Sequence, residues 1–292
     1  MNPITFKLGG VPEHFNLPWH QAMEQGLFQE QGIQINWQDY PGGTGAMAKD
    51  LRSGDLDLAV LLTEGMVADI VKGNKSKIIS VYVASPLIWG IHVPANSNLQ
   101  EVNQLADKRY AISRMGSGSH LMAFVNAQQQ GWDPNNMELV LVGDINGARQ
   151  AFQNNEADVF MWEKFMTKPL VDSGEFRRVG ECPTPWPCFV IAARQEIINK
   201  YTPELQQLLA VIHQANQAFM QNPQAPQLVA EKFNLKPEDA ATWFNHTRWA
   251  TEATVPLDMV ETVIDTLHSL DLIPEKPEAA SLVANLTGVQ QS

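Results

Sequence analysis

The residues best suited to chemistry lie in Lys108 to Ala123, KRYAISRMGSGSHLMA. Arg114 carries a fixed charge that can clamp an anion bidentately. Gly116 and Gly118 let a ligand approach the backbone. Ser117 and Ser119 add hydroxyl donors and can cap a helix. His120 either donates to a ligand or faces solvent at the helix start. Tyr110 to Ser113 reads as a buried strand, Arg114 to Ser119 as a turn, and a helical pattern follows from His120. A strand that ends in such a turn and feeds a helix leaves backbone N–H groups open to a polar or anionic group. The plainer reading is a capped helix behind a flexible turn.

Other candidates have the same two-sided character. Glu64 ends an apolar strand, where its carboxylate could accept from an amine or aminopyrimidine. It could equally serve as a charge at the start of the next helix. Glu163 and Lys164 hold the equivalent place further on and could simply pair with each other. Trp162, Trp186, Trp89 and Trp19 are stacking platforms or core. Trp162 and Trp186 come first, because one closes a strand and the other lies in a loop. Glu13 and His14 form an acid–base combination, but no nucleophile or metal partner accompanies them.

These residues need strands and helices to hold them. Ile4 to Leu8 reads as the first strand, followed by a turn at Gly10 to His14. A helix is expected from Leu17 to Gln31, then a strand from Ile33 to Trp37. Pro41 to Gly45, which includes Gly43 and Thr44, is a glycine turn opening a helix from Ala46 to Arg52. Leu56 to Leu62 is an apolar run suited to a buried parallel strand, closed by Thr63, Glu64 and Gly65 before a helix from Met66 to Val71. Further strands read at Ile78 to Val83, Trp89 to Val93, Leu139 to Val142, Ala157 to Trp162 and Phe189 to Ala193. A short helical piece is expected at Leu99 to Ala106, and a helix opened by Gly143 to Gly147 runs through Gln153. The remainder is helical: Pro203 to Met220, Ala225 to Phe233, Pro237 to Trp243 and Pro256 to Leu270. The end, Gly288 to Ser292, is expected to fray. Strands alternating with helices indicate a parallel sheet, whose ligands sit at the carboxyl ends of the strands. The turns at Gly10–His14, Gly42–Thr44 and Thr63–Glu64 would all fall on that edge.

Composition narrows the class. The 292 residues are 44% hydrophobic and 18% charged, with a formal net charge of −12. That length favours two lobes of ~100–150 residues. No run approaches the ~18 apolar residues of a membrane span. The acidic balance argues against nucleic acid as a partner. The start, MNPITFKLGG, has no basic segment followed by an apolar one, so no signal peptide is read. The expectation is a cytoplasmic protein, or a periplasmic one if the sequence begins after cleavage. Cys182 and Cys188, in CPTPWPC, do not make a zinc site. Their spacing leaves a short disulfide or two half-buried thiols. No cofactor or metal is expected, and a monomer is the default.

The halves align at an offset of 101: Leu51 to Asp57 over Phe152 to Asp158, and Leu61–Glu64 over Trp162–Phe165. The repeat implies two similar α/β lobes. The motifs then fall in a familiar order. GGT follows the second strand, then LRSGDLDLA, SRMGSGSH, QAFQNNEADV with WE, FVIAARQEII and PELQQLL. The set resembles the type II periplasmic-binding-protein fold over about residues 4 to 270. More narrowly, it is similar to nitrate/sulfonate/taurine-type substrate-binding proteins and their thiamine-pyrimidine relatives. The resemblance implies an α/β fold of two lobes, 1–90 with 189–292 and 91–188. Two crossing strands would join them near Gly90–His92 and Pro187–Val190, with hinge closure on a ligand held between. It also implies a non-catalytic binder of a small polar compound, anionic or pyrimidine-like, with an ABC transporter permease as partner if exported. The alternative is an intracellular enzyme of vitamin-precursor metabolism on the same fold. The cysteine-rich motif of the fungal pyrimidine-precursor synthase has no counterpart here.

Overall fold

The computed structural model describes residues 3–286. The segment Gly288 to Ser292 lies outside the described residues. In chain order, the first elements are β1 (Ile4–Gly10), α1 (Leu17–Glu24), α2 (Leu27–Glu30), β2 (Ile33–Asp39), α3 (Gly43–Ser53), β3 (Leu58–Leu62), α4 (Thr63–Val71) and β4 (Ser76–Val83). Next come β5 (Ile88–Pro94), β6 (Arg109–Ile112), α5 (Gly118–Gln130), β7 (Glu138–Leu141), α6 (Ile145–Gln153), β8 (Val159–Glu163), α7 (Lys168–Asp172) and β9 (Phe176–Pro183). The chain continues with β10 (Phe189–Arg194), α8 (Gln195–Gln221), α9 (Ala225–Phe233), α10 (Pro237–His246) and α11 (Leu257–Ser269).

The chain divides into two compact units, Met1–Pro86 with Trp186–Ser292, and Leu87–Pro185. Both boundaries fall in coil, a few residues before the points read from the sequence, so that β5 lies wholly in the second unit and β10 wholly in the first. Each unit has its own five-stranded sheet, ordered β2-β1-β3-β10-β4 and β7-β6-β8-β5-β9. In the first unit β1 runs parallel to β2 and β3, while β10 runs antiparallel to β3 and β4. In the second, β6 runs parallel to β7 and β8, while β5 runs antiparallel to β8 and β9. The purely parallel sheet expected from the sequence is therefore mixed. Alternation of strand and helix reports the crossovers, but not the direction of a strand that arrives from elsewhere in the chain.

Several boundaries move for local reasons. The helix expected over Leu17 to Gln31 is two helices, because Gly26 takes a left-handed φ of +76° between them. The short helical piece at Leu99 to Ala106 contracts to a 3-10 turn, Val102–Gln104. The helix expected from Pro203 is present, preceded by a short helix from Gln195 that runs into it across a kink where Tyr201 is non-helical. Strand β9 was not read at all: its sequence, FRRVGECP, hides a strand under charge. Cys182 and Cys188 are fully buried thiols, neither disulfide-linked nor half-exposed. Burial pushes the Cys182 thiol up to about 12.

The 101-residue repeat has a physical basis at its aspartates. The backbone N–H of Lys7 donates to Asp57 Oδ2 at 2.9 Å, and that of Arg109 donates to Asp158 Oδ2 at 3.0 Å. Each aspartate returns its own N–H to the same partner, Asp57 to the Lys7 carbonyl and Asp158 to the Arg109 carbonyl, both at 2.9 Å. An arginine holds the other carboxylate oxygen, Arg194 for Asp57 and Arg109 for Asp158, both at 2.8 Å. The clamp ties the middle of β1 to the start of β3 in the first unit, and the start of β6 to the start of β8 in the second.

Hydrogen bonds from Arg109 hold the Asp158 carboxyl below its ordinary value of 3.8. A carboxyl depressed in the folded state contributes stability above its unfolded pKa and loses it as pH falls. Asp158→Ala is therefore expected to cost about 2 kcal/mol at pH 7. That deficit should shrink as pH drops below 3.8. Urea unfolding of both proteins at pH 7 and at pH 3 measures it.

Candidate functional site

In the first unit the parallel strands β1, β2 and β3 end on one edge of the sheet. The turn after β1 is a 3-10 turn, His14–Asn16. It is pinned at the Phe15 carbonyl, which accepts from the Tyr82 hydroxyl at 2.7 Å and the Trp249 indole N–H at 2.9 Å. Asn16 Nδ2 donates to the Val11 carbonyl at 2.8 Å. His14 is buried against aromatic rings, stacked on Trp243 at 4.2 Å and 6°. Burial pushes its imidazole down to about 3, so it stays neutral. Glu13 keeps part of its surface open, yet its surroundings raise its carboxyl to about 7. No hydrogen bond joins Glu13 to His14 among the described residues, so the acid–base pairing suggested by their adjacency is not formed. Trp19 is core, fully buried and stacked on Phe28 at 5.5 Å.

At the ends of β2 and β3, helices begin earlier than expected. Gly43 and Thr44 lie in the first turn of α3, and Thr63 and Glu64 in the first turn of α4. Thr44 Oγ1 accepts from the Leu62 N–H at 3.1 Å. The two helix starts touch: a Cβ on Gly65 would sit 2.5 Å from Thr44 Cγ2. Thr63 donates its hydroxyl to the Pro187 carbonyl at 2.5 Å. Both hydroxyls are thus engaged inside the fold. Glu64 differs. It is 3% exposed; its Oε2 accepts from the Trp186 indole N–H at 2.9 Å, while its buried Oε1 has no hydrogen-bond partner. Burial raises its pKa, partly offset by its own backbone N–H and by Trp186. A buried carboxyl oxygen without a donor costs on the order of 1–3 kcal/mol.

In the second unit β6, β7 and β8 likewise end together. The turn after β6 is a closed network. Ser117 caps α5 by accepting from the His120 N–H at 3.3 Å. Ser119 Oγ accepts from the Ser113 N–H at 2.9 Å and lies 3.1 Å from Ser117 Oγ. The helix therefore begins at Gly118, two residues before His120. His120 is buried, not solvent-facing. Its Nδ1 accepts from the Gly116 N–H at 3.0 Å, so the neutral ring carries its proton on Nε2, which is buried without a partner. Arg114 is exposed and makes no ion pair among the described residues. Burial lowers the His120 pKa.

The end of β8 reads differently. Glu163 Oε2 accepts from the Phe165 N–H at 2.8 Å and the Met166 N–H at 2.7 Å, which shapes the turn. Lys164 pairs with Glu181 at 2.8 Å rather than with Glu163. Trp162 is half-buried, stacked on Phe160 at 5.2 Å, with the buried Trp89 edge-on at 6.3 Å. The sequence reading passed over Met115, Leu141 and Met166, the large apolar residues most exposed to solvent. They stand at the ends of β6, β7 and β8. A large apolar residue within a glycine- and serine-rich turn is the signal that Met115 offered.

The model of the Ca3427-like periplasmic-binding-protein family matches residues 89–182. The CA3427 gene product of Candida albicans, described as exhibiting the generic periplasmic binding protein structural fold, superposes with a TM-score of 0.86. It is 27% identical, over 99% of this chain and 98% of its own. The chain has the type II periplasmic-binding-protein fold. The alkanesulfonate-binding protein of Xanthomonas axonopodis pv. citri shares it at a TM-score of 0.80 and 18% identity, covering 98% of this chain and 99% of its own. The periplasmic nitrate-binding protein of Synechocystis does so at 0.73 and 14%, covering 96% of this chain and 84% of its own. No curated protein sequence matches the chain. In this fold the polar strand ends of each unit are the natural ligand-facing positions. Among the described residues, the strand ends of the present chain hold buried atoms without a hydrogen-bond partner at His14 Nδ1, Asn16 Oδ1, Glu64 Oε1 and His120 Nε2, and the exposed Arg114 guanidinium makes no ion pair.

The His120 arrangement is testable by nitrogen-detected NMR. The expected result is an Nε2–H neutral tautomer with a midpoint below 6.5. Histidines 14, 92 and 213 are lower still, at about 3, 4 and 4.

Proposed function

We propose that the protein is a small-molecule binding protein that closes its two units on a small polar ligand, anionic or pyrimidine-like. One observation carries the reading. In the turn after β6, Arg114 stands unpaired, and the His120 ring presents a buried Nε2–H without an acceptor beside the start of a 13-residue helix. Folded chains rarely leave a buried donor such as this Nε2–H unmet; a ligand oxygen would meet it, with the exposed Arg114 close in sequence to pair with its charge. A helix start favours negative charge, so the group it suits is a sulfonate, phosphate, nitrate or carboxylate. Neighbours of the same fold named for alkanesulfonate and nitrate binding support an anionic ligand. Around that group we assign Ser117, Gly118 and Ser119 to shaping the turn. Trp162 supplies aromatic surface, the buried Trp186 holds Glu64, and Glu13 and Gly43 form the polar edge of the first unit, with Thr44 and Thr63 bracing it from within. An exported form would hand its ligand to an ABC transporter permease.

The test is thermal unfolding of the purified protein with ethanesulfonate, nitrate, phosphate and pyrimidine phosphates, together with mass spectrometry of any molecule released on denaturation. A ligand at 100-fold its Kd adds about 2.7 kcal/mol of stability. Arg114→Ala should weaken that ligand at least tenfold without lowering the melting point of the unliganded protein. The absence of any shift and of any released molecule would overturn the reading.

A further inference from the structure

We infer that Glu64 is a ligand-recognition carboxyl whose unpaired Oε1 takes an N–H from the bound molecule, so that the ligand class is a compound bearing an amine or a ring amino group; this rests on the small-molecule-binding reading above. The argument begins with what the fold does with its other buried carboxyl at a strand end. Glu163 spends one oxygen on two backbone N–H groups and thereby shapes its own turn. Glu64 shapes nothing comparable. Its one side-chain partner is the Trp186 indole, 122 residues away, and Oε1 is left bare in a setting that excludes water from the atom. A carboxyl kept for stability alone would have both oxygens met or would be replaced by an apolar residue of similar volume.

The position supports the same conclusion. Glu64 sits in the first turn of α4, directly after β3, on the edge where β1, β2 and β3 end. Trp186 fixes the carboxyl plane by binding Oε2, which aims the remaining oxygen. The adjacent hydroxyls of Thr44 and Thr63 are already engaged, so they offer the ligand no competing contact. In its ionised form a carboxyl here also repels a bare anion. Simple alkanesulfonates and nitrate therefore suit the turn after β6 but not Glu64, whereas an N–H donor suits Glu64.

Glu64→Gln keeps an acceptor for Trp186 and removes the acceptor pair that an ammonium or amino group needs. Wild type and variant are compared by thermal unfolding and by calorimetric titration with matched probes: taurine against ethanesulfonate, and 4-aminopyrimidine against pyrimidine. The expected result is a variant whose unliganded melting point is unchanged or higher, with at least tenfold weaker binding of the N–H-bearing member of a pair and no change for its match. A variant that melts lower and binds as wild type would make Glu64 structural and overturn the inference. Wild-type protein that binds only the members lacking an N–H would overturn it while leaving the binding reading intact. Binding of no probe, with no molecule released from the purified protein, would overturn both.

Discussion

The aspartate clamps at Asp57 and Asp158 are the constraint on which both sheets depend. A parallel pair of strands has no hairpin to set its register, so the register must come from side chains or from packing. Here a carboxylate just ahead of β3 or β8 holds a backbone N–H of β1 or β6, at the middle of the one and the start of the other, and an arginine holds the carboxylate. Once the register is tied, the strand ends are set relative to one another. The turns that follow them, with their glycines, serines and acids, are then neighbours by necessity. The same device at an offset of 101 residues makes the two units comparable in their polar ends, although their side chains there differ.

Those polar ends are best described by which groups the fold satisfies. Thr44, Thr63, Ser119 and Glu163 are polar and in the expected places, yet each is engaged within its own unit. What stands out among the described residues is the buried remainder: Glu64 Oε1, the His120 Nε2–H, His14 Nδ1 and Asn16 Oδ1. A protein interior tolerates such groups at a cost in stability.

Much of the fold was legible. The apolar runs of β1, β3, β4 and β10 marked strands within a few residues, and the repeated aspartate marked the two α/β units. The antiparallel placement of β5 and β10 was not legible, because strand direction is decided by partners far along the chain. Strand β9 was hidden because its arginines face partners rather than water, as with the Arg177 bonds to the carbonyls of Ala95, Ser97 and Leu99. In the candidate site, residue types were readable but their commitments were not. The Glu64–Trp186 bond spans 122 positions, and the aromatic stack on His14 comes from Trp243. The starts of α3, α4 and α5 lie upstream of the apolar spacing, and of the three only α5 is capped by a side chain, Ser117.

The central place of β10 governs how the chain can be made. The second unit is continuous in sequence, whereas the first is completed only by residues that follow the second. Strand β10 lies between β3 and β4, so β3 is paired only to β1 and β4 to no strand until Phe189–Arg194 has been synthesised. On the ribosome, about a hundred residues of the second unit emerge while two strands of the first still show bare hydrogen-bonding edges. The second unit can close its sheet first, and the first unit must wait in a state open to mispairing. A chain halted just after Pro185 would therefore hold one finished sheet and one that lacks the strand joining β3 to β4.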